Sequence, residues 1–247
     1  MNLSFYTAAE GAHQQQTRMD IHANNIANVN TYGFRARVPA FSSLLSGEVR
    51  AIDEDYQRGV GARVEDSELN LNQAPMTGTD RTLDFAIDGE GFFMLRDPAS
   101  GETAYTRDGS FALMQYGPQS EDDPDSIHRW YLSDGNGRLV IGRSGQPVSV
   151  VITPQTDLTQ VDFPVGVFDW INHNGMTGSS ENRLQPVQKN GQVTYGSGKV
   201  VRGYLELSNA DLATEMTKVI EAQRSYQMLL RMVTTSDEIE TTTNSLR

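Results

Sequence analysis

The chain has 247 residues, with 20 Lys and Arg set against 32 Asp and Glu, for a formal charge of −12. That acid excess argues against a nucleic-acid backbone or an anionic membrane surface as partner, since binding there draws on basic residues. The absence of cysteine excludes disulfide frameworks, thiol nucleophiles and thiolate metal sites, and 37% hydrophobic residues with a mean hydropathy of −0.48 point to segments that bury little surface alone.

The first basic residue is Arg18, and Gly11–Gln16 is polar, so the start lacks the charged and apolar regions of a secretory signal. No run approaches the roughly 20 apolar residues needed to cross a bilayer. The expectation is a protein that is cytosolic or exported without signal cleavage, with no direct membrane insertion.

No proline precedes Pro39, and neither glycine nor proline occurs in residues 204–247. Two such ends around a Gly-rich middle predict terminal helices flanking a β-rich body. In the first segment Phe5, Ala8, Ala12, Gln15, Met19, Ala23 and Ile26 recur at helical steps. The seam is small and polar, suited to close approach by a second helix and poor as a private core.

The segment from Ala23 to Arg35 carries the sharpest local signal. Asn24, Asn25, Asn28 and Asn30 crowd a helix end with side chains that compete with their own backbone. Ala23 and Ala27 give a narrow face for close packing, and Asn24 and Asn28 place amides on one face where a neighbour's backbone could meet them. Gly33 can take the left-handed conformation that ends a helix, with Phe34 as an apolar anchor. The plain alternative is an ordinary helix end, which so costly a run of Asn disfavours.

Residues 38–82 show no clean period and read as an extended arm with occasional strands. From Leu83 to Gly203, short apolar runs are punctuated by Asp88-Gly89, Asp108-Gly109, Asp134-Gly135, Asn136-Gly137, Asn174-Gly175 and Asn190-Gly191. These predict hairpins of an antiparallel β-domain. In the last segment Leu212, Met216, Val219, Gln223, Tyr226, Leu230 and Val233 follow a 3.5-residue rhythm. Ser208, Asn209 and Asp211 can cap its start, and Thr234-Thr235-Ser236 predicts a weak point or bend. The fold class is therefore α+β: terminal helices (1–37 and 204–247) forming a coiled-coil-like stem, an arm (38–82) and a central antiparallel β-domain (83–203).

Catalytic chemistry finds few residues to use. His13, His22, His128 and His173 are scattered without ligand spacing, and polar contacts or solvent account for His13 and His22. Gly89-Glu90-Gly91 begins like a dinucleotide fingerprint, but Met94 stands at its third glycine. The acidic run Glu121–Asp125 lacks the alternating ligands and turn glycine of a calcium loop. Trp130 and Trp170 suit a β-core better than a sugar platform. No catalytic, metal or cofactor site is expected, and the chain reads as a non-enzyme.

Three blocks carry a family resemblance: Ala23-Asn24-Asn25-Ile26-Ala27-Asn28-Val29-Asn30-Thr31-Tyr32-Gly33-Phe34; Leu83–Phe93 followed by Tyr105-Thr106-Arg107-Asp108-Gly109-Ser110-Phe111; and Gly203–Asn209 running through Glu215-Met216 to Ile220–Tyr226. In this order they resemble the axial proteins of the bacterial flagellum, the rod and hook subunits, and within them the distal-rod type. The chain is short for a hook protein. The resemblance implies a structural subunit of the basal-body rod that polymerises into a hollow, torque-transmitting shaft. It implies homo-oligomeric contacts, other rod and hook proteins as neighbours, and delivery through the flagellar export apparatus. Asn24, Asn25, Asn28 and Thr31 would be assembly contacts, and Leu212, Met216, Val219, Tyr226, Leu230 and Val233 an intersubunit seam. The competing readings are a hook-type or rod–hook junction protein and, from another class, a secreted β-domain enzyme or polysaccharide-binding module.

Overall fold

The computed structural model describes residues 3–43, 47–50, 55–58, 62–116, 129–152, 156–173, 175–179 and 182–246. It is an α+β chain with helices α1 (Leu3–Ala27) and α2 (Leu212–Ser245) at its ends and antiparallel strands between them. Two compact units result. A helical unit takes Met1–Asn28, Ala36–Asn70 and Ala210–Arg247, and a β-unit takes Val29–Arg35 and Leu71–Asn209.

In the helical unit α1 and α2 run side by side and antiparallel, because Gly11 backs onto Leu229 while His22 meets Glu215. A Cβ at Gly11 would stand 3.3 Å from a Leu229 methyl, so the glycine lets the helices close up. Ala8 and Ala12 of α1 and Ala222 of α2 are buried in the seam. Small side chains permit close backbone approach but offer modest apolar area.

The start of α2 follows the expected capping chemistry. The Asp211 carboxylate accepts the Thr214 amide at 2.9 Å, and the Thr214 hydroxyl and amide hold its pKa below the ordinary aspartate value. α2 runs as one unbroken helix through Thr234-Thr235-Ser236, where the sequence predicts a weak point or bend. The Thr234 hydroxyl donates to the Arg231 carbonyl at 2.9 Å, and Thr241, Thr242 and Thr243 bond the carbonyls four residues back. The hydroxyls are thus spent within the helix and do not unwind it. Also in this unit, β1 (Arg37–Ser43) pairs with β4 (Ala62–Leu69), with a register shift between Ala40 and Phe41, and β2 (Gly47–Arg50) pairs with β3 (Asp55–Arg58).

The β-unit contains β5 (Met76–Gly78), β6 (Phe85–Asp88), β7 (Phe93–Arg96), β8 (Thr103–Thr106), β9 (Ala112–Met114), β10 (Arg129–Ser133), β11 (Leu139–Val140) and β12 (Ser149–Val151). It continues with β13 (Phe168–Trp170), β14 (Thr177–Ser179), β15 (Arg183–Gln185), β16 (Val193–Tyr195), β17 (Lys199–Arg202) and β18 (Tyr204–Glu206). Among the described residues the main sheet runs β12-β10-β11-β7-β8-β15-β14, with β9 also on β10. Phe85, Ile87, Phe93, Leu95, Phe111, Leu132 and Val140 form its core, and the Phe93 and Phe111 rings meet edge to face at 5.2 Å.

The hairpins differ from the dipeptide reading. Only Asp134-Gly135-Asn136-Gly137 closes one among the described residues, linking β10 to β11 with Gly137 at φ 83°. The strand after Asp88-Gly89 does not fold back on β6; β6 pairs with β17, and β5 with β18, from far along the chain. Gly109 serves close approach instead of turning, since a Cβ there would fall 1.7 Å from the Phe85 carbonyl oxygen. Gly203, at φ 77°, splits the apolar run Val200–Leu207 into β17 and β18, which serve different partners. Trp170 is buried between Phe92 and Tyr105, at 5.7 and 4.3 Å, and Trp130 is half-buried. Gly59-Val60-Gly61, Glu121–Asp125, His128 and Asn174 lie outside the described residues.

Candidate functional site

Each unit is organised around one buried glutamate. In the helical unit Glu215, on the first turn of α2, is 5% exposed. Its Oε2 meets His22 Nδ1 at 2.6 Å and accepts Asn25 Nδ2 at 3.0 Å, and its Oε1 pairs with Lys218 Nζ at 3.0 Å. The α1 spacing places His22 and Asn25 on one face, three residues apart. Asn25, fully buried, also copies a strand partner: its Nδ2 donates to the Arg37 carbonyl and its Oδ1 accepts the Arg37 amide, both at 2.8 Å. One amide therefore ties α1, α2 and the first residue of β1. Burial pushes the Glu215 pKa up, but hydrogen bonds from Asn25, Lys218 and His22 outweigh it and hold the carboxyl below the ordinary glutamate value.

In the β-unit Glu206 is fully buried. Its Oε1 accepts Arg35 Nη2 at 2.7 Å and the Ala74 amide at 2.8 Å, while Oε2 accepts Arg107 Nη1 at 3.0 Å. Arg107 reaches on to the Gly89 carbonyl at 2.7 Å and lies over the Phe92 ring at 5.3 Å. Burial pulls the Arg107 pKa down against the attraction of Glu206. The Gly33 amide donates to the Glu206 carbonyl at 2.7 Å, and Gly33 has φ 64°. A Cβ there would sit 2.3 Å from the Asp108 nitrogen and 2.4 Å from the Arg107 carbonyl carbon, so only glycine fits.

The expected assembly residues fall into two groups. Gly33 and Phe34 are buried in the β-unit, where Phe34 accepts the Asn209 amide at 3.3 Å, and Thr31 is half-buried. Asn25 is buried at the Glu215 node, whereas Ala23, Asn24 and Ala27 are exposed. Asn28 is half-buried and its Nδ2 donates to the Asn24 carbonyl at 2.9 Å, closing the end of α1. On α2 the buried positions Glu215, Ala222 and Ser236 lie seven and fourteen residues apart, with half-buried Leu229 at the step between them. Val219, Tyr226 and Val233 are half-buried beside them. Leu212, Met216 and Leu230 are 44%, 53% and 41% exposed, on a flank roughly 80–120° around the helix from that seam.

Sequence reasoning gave His22 polar contacts or solvent without pairing it with Glu215, and did not single out Arg35, Arg107 or Glu206. Each of the last three sits in, or directly after, a different block of the family resemblance. The available signal was Glu206, a lone charge between two leucines; Arg107 stands beside Asp108 and Arg35 near Arg37, and neither carries such a mark. Among the described residues, no three His, Asp or Glu side chains gather as a metal site, and no helix is long and apolar enough to cross a membrane.

Comparison with known proteins resolves what a chain built this way is. Residues 5–35 match the family described as flagella basal body rod protein, 86–123 the flagellar hook protein FlgE/F/G D1 domain, and 201–246 the flagellar basal body rod FlgEFG protein C-terminal. Arg35, Arg107 and Glu206 fall one in each matched stretch. The chain is 32% identical over 263 residues to the flagellar basal-body rod protein FlgG of Buchnera aphidicola subsp. Schizaphis graminum, covering 96% of both chains. It is 31% identical to FlgG of Bacillus subtilis, again over 96% of both. It is 29% identical to the flagellar hook-basal body complex protein FlhP of Bacillus subtilis, over 99% of both. A likeness that runs the length of the chain, through all three matched stretches, places this protein in the flagellar axial family, as a structural, non-enzymatic subunit of the basal-body rod.

Proposed function

We propose that this subunit polymerises with copies of itself into a hollow shaft that transmits torque, in line with other rod and hook proteins. The terminal segments 1–37 and 204–247 act as the assembly domain, their helices forming a coiled-coil-like stem in the polymer, with the arm (38–82) and β-domain (83–203) outside it. The observation that carries this reading is α2 itself. Leu212, Met216, Ile220, Met228, Leu230 and Met232 are all exposed on a helix whose buried seam is made of Glu, Ala and Ser. An exposed apolar helix of this length marks an interaction surface. Ala23, Asn24 and Ala27, exposed on α1, offer the small face and amide that a neighbouring helix needs. Delivery goes through the flagellar export apparatus, as the family resemblance implies.

The test is a strain whose only copy carries Met216→Asp, with basal bodies viewed by electron cryomicroscopy. The expected result is a shaft that stops where this subunit would begin, while the purified variant keeps its circular dichroism and melting temperature. A full-length shaft would refute the reading. The second reading is a hook-type or rod–hook junction protein, in keeping with the likeness to a flagellar hook-basal body complex protein; a curved polymer would favour it.

A further inference from the structure

The chain passes between its two units at four peptide bonds: Asn28–Val29, Arg35–Ala36, Asn70–Leu71 and Asn209–Ala210. On the β-unit side, the segments that lead to these crossings are bonded to one another. Gly33 N–H donates to the Glu206 carbonyl, Asn209 N–H to the Phe34 carbonyl and Leu207 N–H to the Pro75 carbonyl, at 2.7, 3.3 and 2.9 Å. Asn209 Nδ2 donates to the Asn72 carbonyl at 3.0 Å, and Asn182 Nδ2 to the Tyr32 carbonyl at 2.8 Å. At the centre the Glu206 carboxylate takes one hydrogen bond from each side: Arg35 from the first segment, the Ala74 amide from the second and Arg107 from the sheet.

As a source of stability this cluster is a poor choice. It buries two cations against one anion, and Arg35 Nε, Arg35 Nη1 and Arg107 Nε are buried with no hydrogen-bond partner among the described residues. Apolar side chains of similar volume commonly fill such a space at equal or lower free energy. Charged forks supply direction, because a guanidinium satisfies a carboxylate in few geometries.

We propose that Arg35, Arg107 and Glu206 are positioning residues: a clamp that fixes the spacing and register of all four crossings on the β-unit. This goes beyond polymerisation, and it rests on the rod reading only for its purpose, the passage of load through a subunit.

The test uses the purified full-length chain and the triple variant Arg35→Met/Arg107→Met/Glu206→Leu, followed by amide hydrogen exchange and thermal unfolding. The expected result is a β-unit melting temperature that holds or rises, with a fall of about tenfold or more in protection at Gly33, Ala74, Leu207 and Asn209. Protection of the core amides of Leu95 and Leu132 stays unchanged. If the triple variant does not fold, Arg35→Lys, which keeps the charge and loses the fork, is read the same way and loses protection at those four amides alone. Unchanged protection at the four, or equal loss at the four and in the core, overturns the clamp. Because exchange is read on the isolated chain, this outcome is independent of whether the shaft assembles.

Discussion

Glu206 and Glu215 stand on either side of the cap that opens α2, and both are buried, yet their surroundings are opposites. Glu206 faces two guanidiniums and a backbone amide with no exposed partner. Glu215 faces an imidazole, a side-chain amide and a lysine whose side chain is 37% exposed. Two planar guanidiniums satisfy a carboxylate in few geometries, so the Glu206 cluster is fixed in orientation once formed. The Glu215 node includes a lysine whose flexible side chain reaches solvent. The β-unit is thus anchored by a buried, directional joint, and the helical unit by a joint partly open to water.

The sharpest way to break this contrast is to remove one charge from each joint. Glu206→Gln leaves two buried guanidiniums uncompensated, and should cost about 3–5 kcal/mol in denaturant-induced unfolding of the β-unit. Glu215→Gln keeps one oxygen to accept from Asn25 and loses the acceptor for Lys218, whose ammonium can turn to water, and should cost about 1–3 kcal/mol. Equal losses would erase the distinction. Asn25→Ala should follow at about 1–3 kcal/mol, since the Arg37 amide and carbonyl both lose their partner. Its effect should be confined to exchange protection in α1, α2 and β1.

Acid provides a gentler probe. The folded-state pKa of Glu215 lies below its ordinary value of 4.5, so the folded state favours the ionised carboxylate and the unfolded chain binds the proton more readily. Its stabilisation is complete above 4.5 and is lost as pH falls through the lower, folded-state value. Helical ellipticity should therefore weaken on acidification below that range, and Glu215→Gln should flatten the dependence; an unaltered profile in the variant would assign the effect elsewhere. The smallest expected change is Leu212→Ala, within about 0.5 kcal/mol of wild type because the side chain is largely in solvent. A larger loss by thermal melting would mean that this flank already has a partner within the monomer.

Much of this plan is legible in the sequence. The two helices, the Asp211 cap and the strand at each apolar run from Leu83 to Leu207 follow from periodicity and local chemistry. What local chemistry does not carry is partner choice. Asp88-Gly89 has the residues of a hairpin turn, but β6 is claimed by β17, whose contribution is visible only once the chain has folded back. Glu206 illustrates the same limit. In Tyr204-Leu205-Glu206-Leu207, Leu205 is buried as an apolar strand residue should be, but Glu206 beside it is fully buried too and Leu207 is 37% exposed. Burying Glu206 requires two arginines 171 and 99 residues away, which no window of sequence reveals. The phase of α2 was hidden likewise. Its heptad of large side chains is regular, but the buried positions go to Glu215, Ala222 and Ser236, because α1 offers His22, Asn25 and small residues in place of an apolar groove.

The pairing of β6 with β17 and of β5 with β18 also has a bearing on time. These ladders join strands from the beginning and the end of the β-unit, and loop-closure entropy must be met before either ladder gains a hydrogen bond. A nascent chain that still lacks β17 and β18 leaves β6 and β5 without their ladder partners and Arg107 without the Glu206 carboxylate. Closure waits for the final strands, so completion of the β-unit marks the arrival of the segment that leads directly into α2.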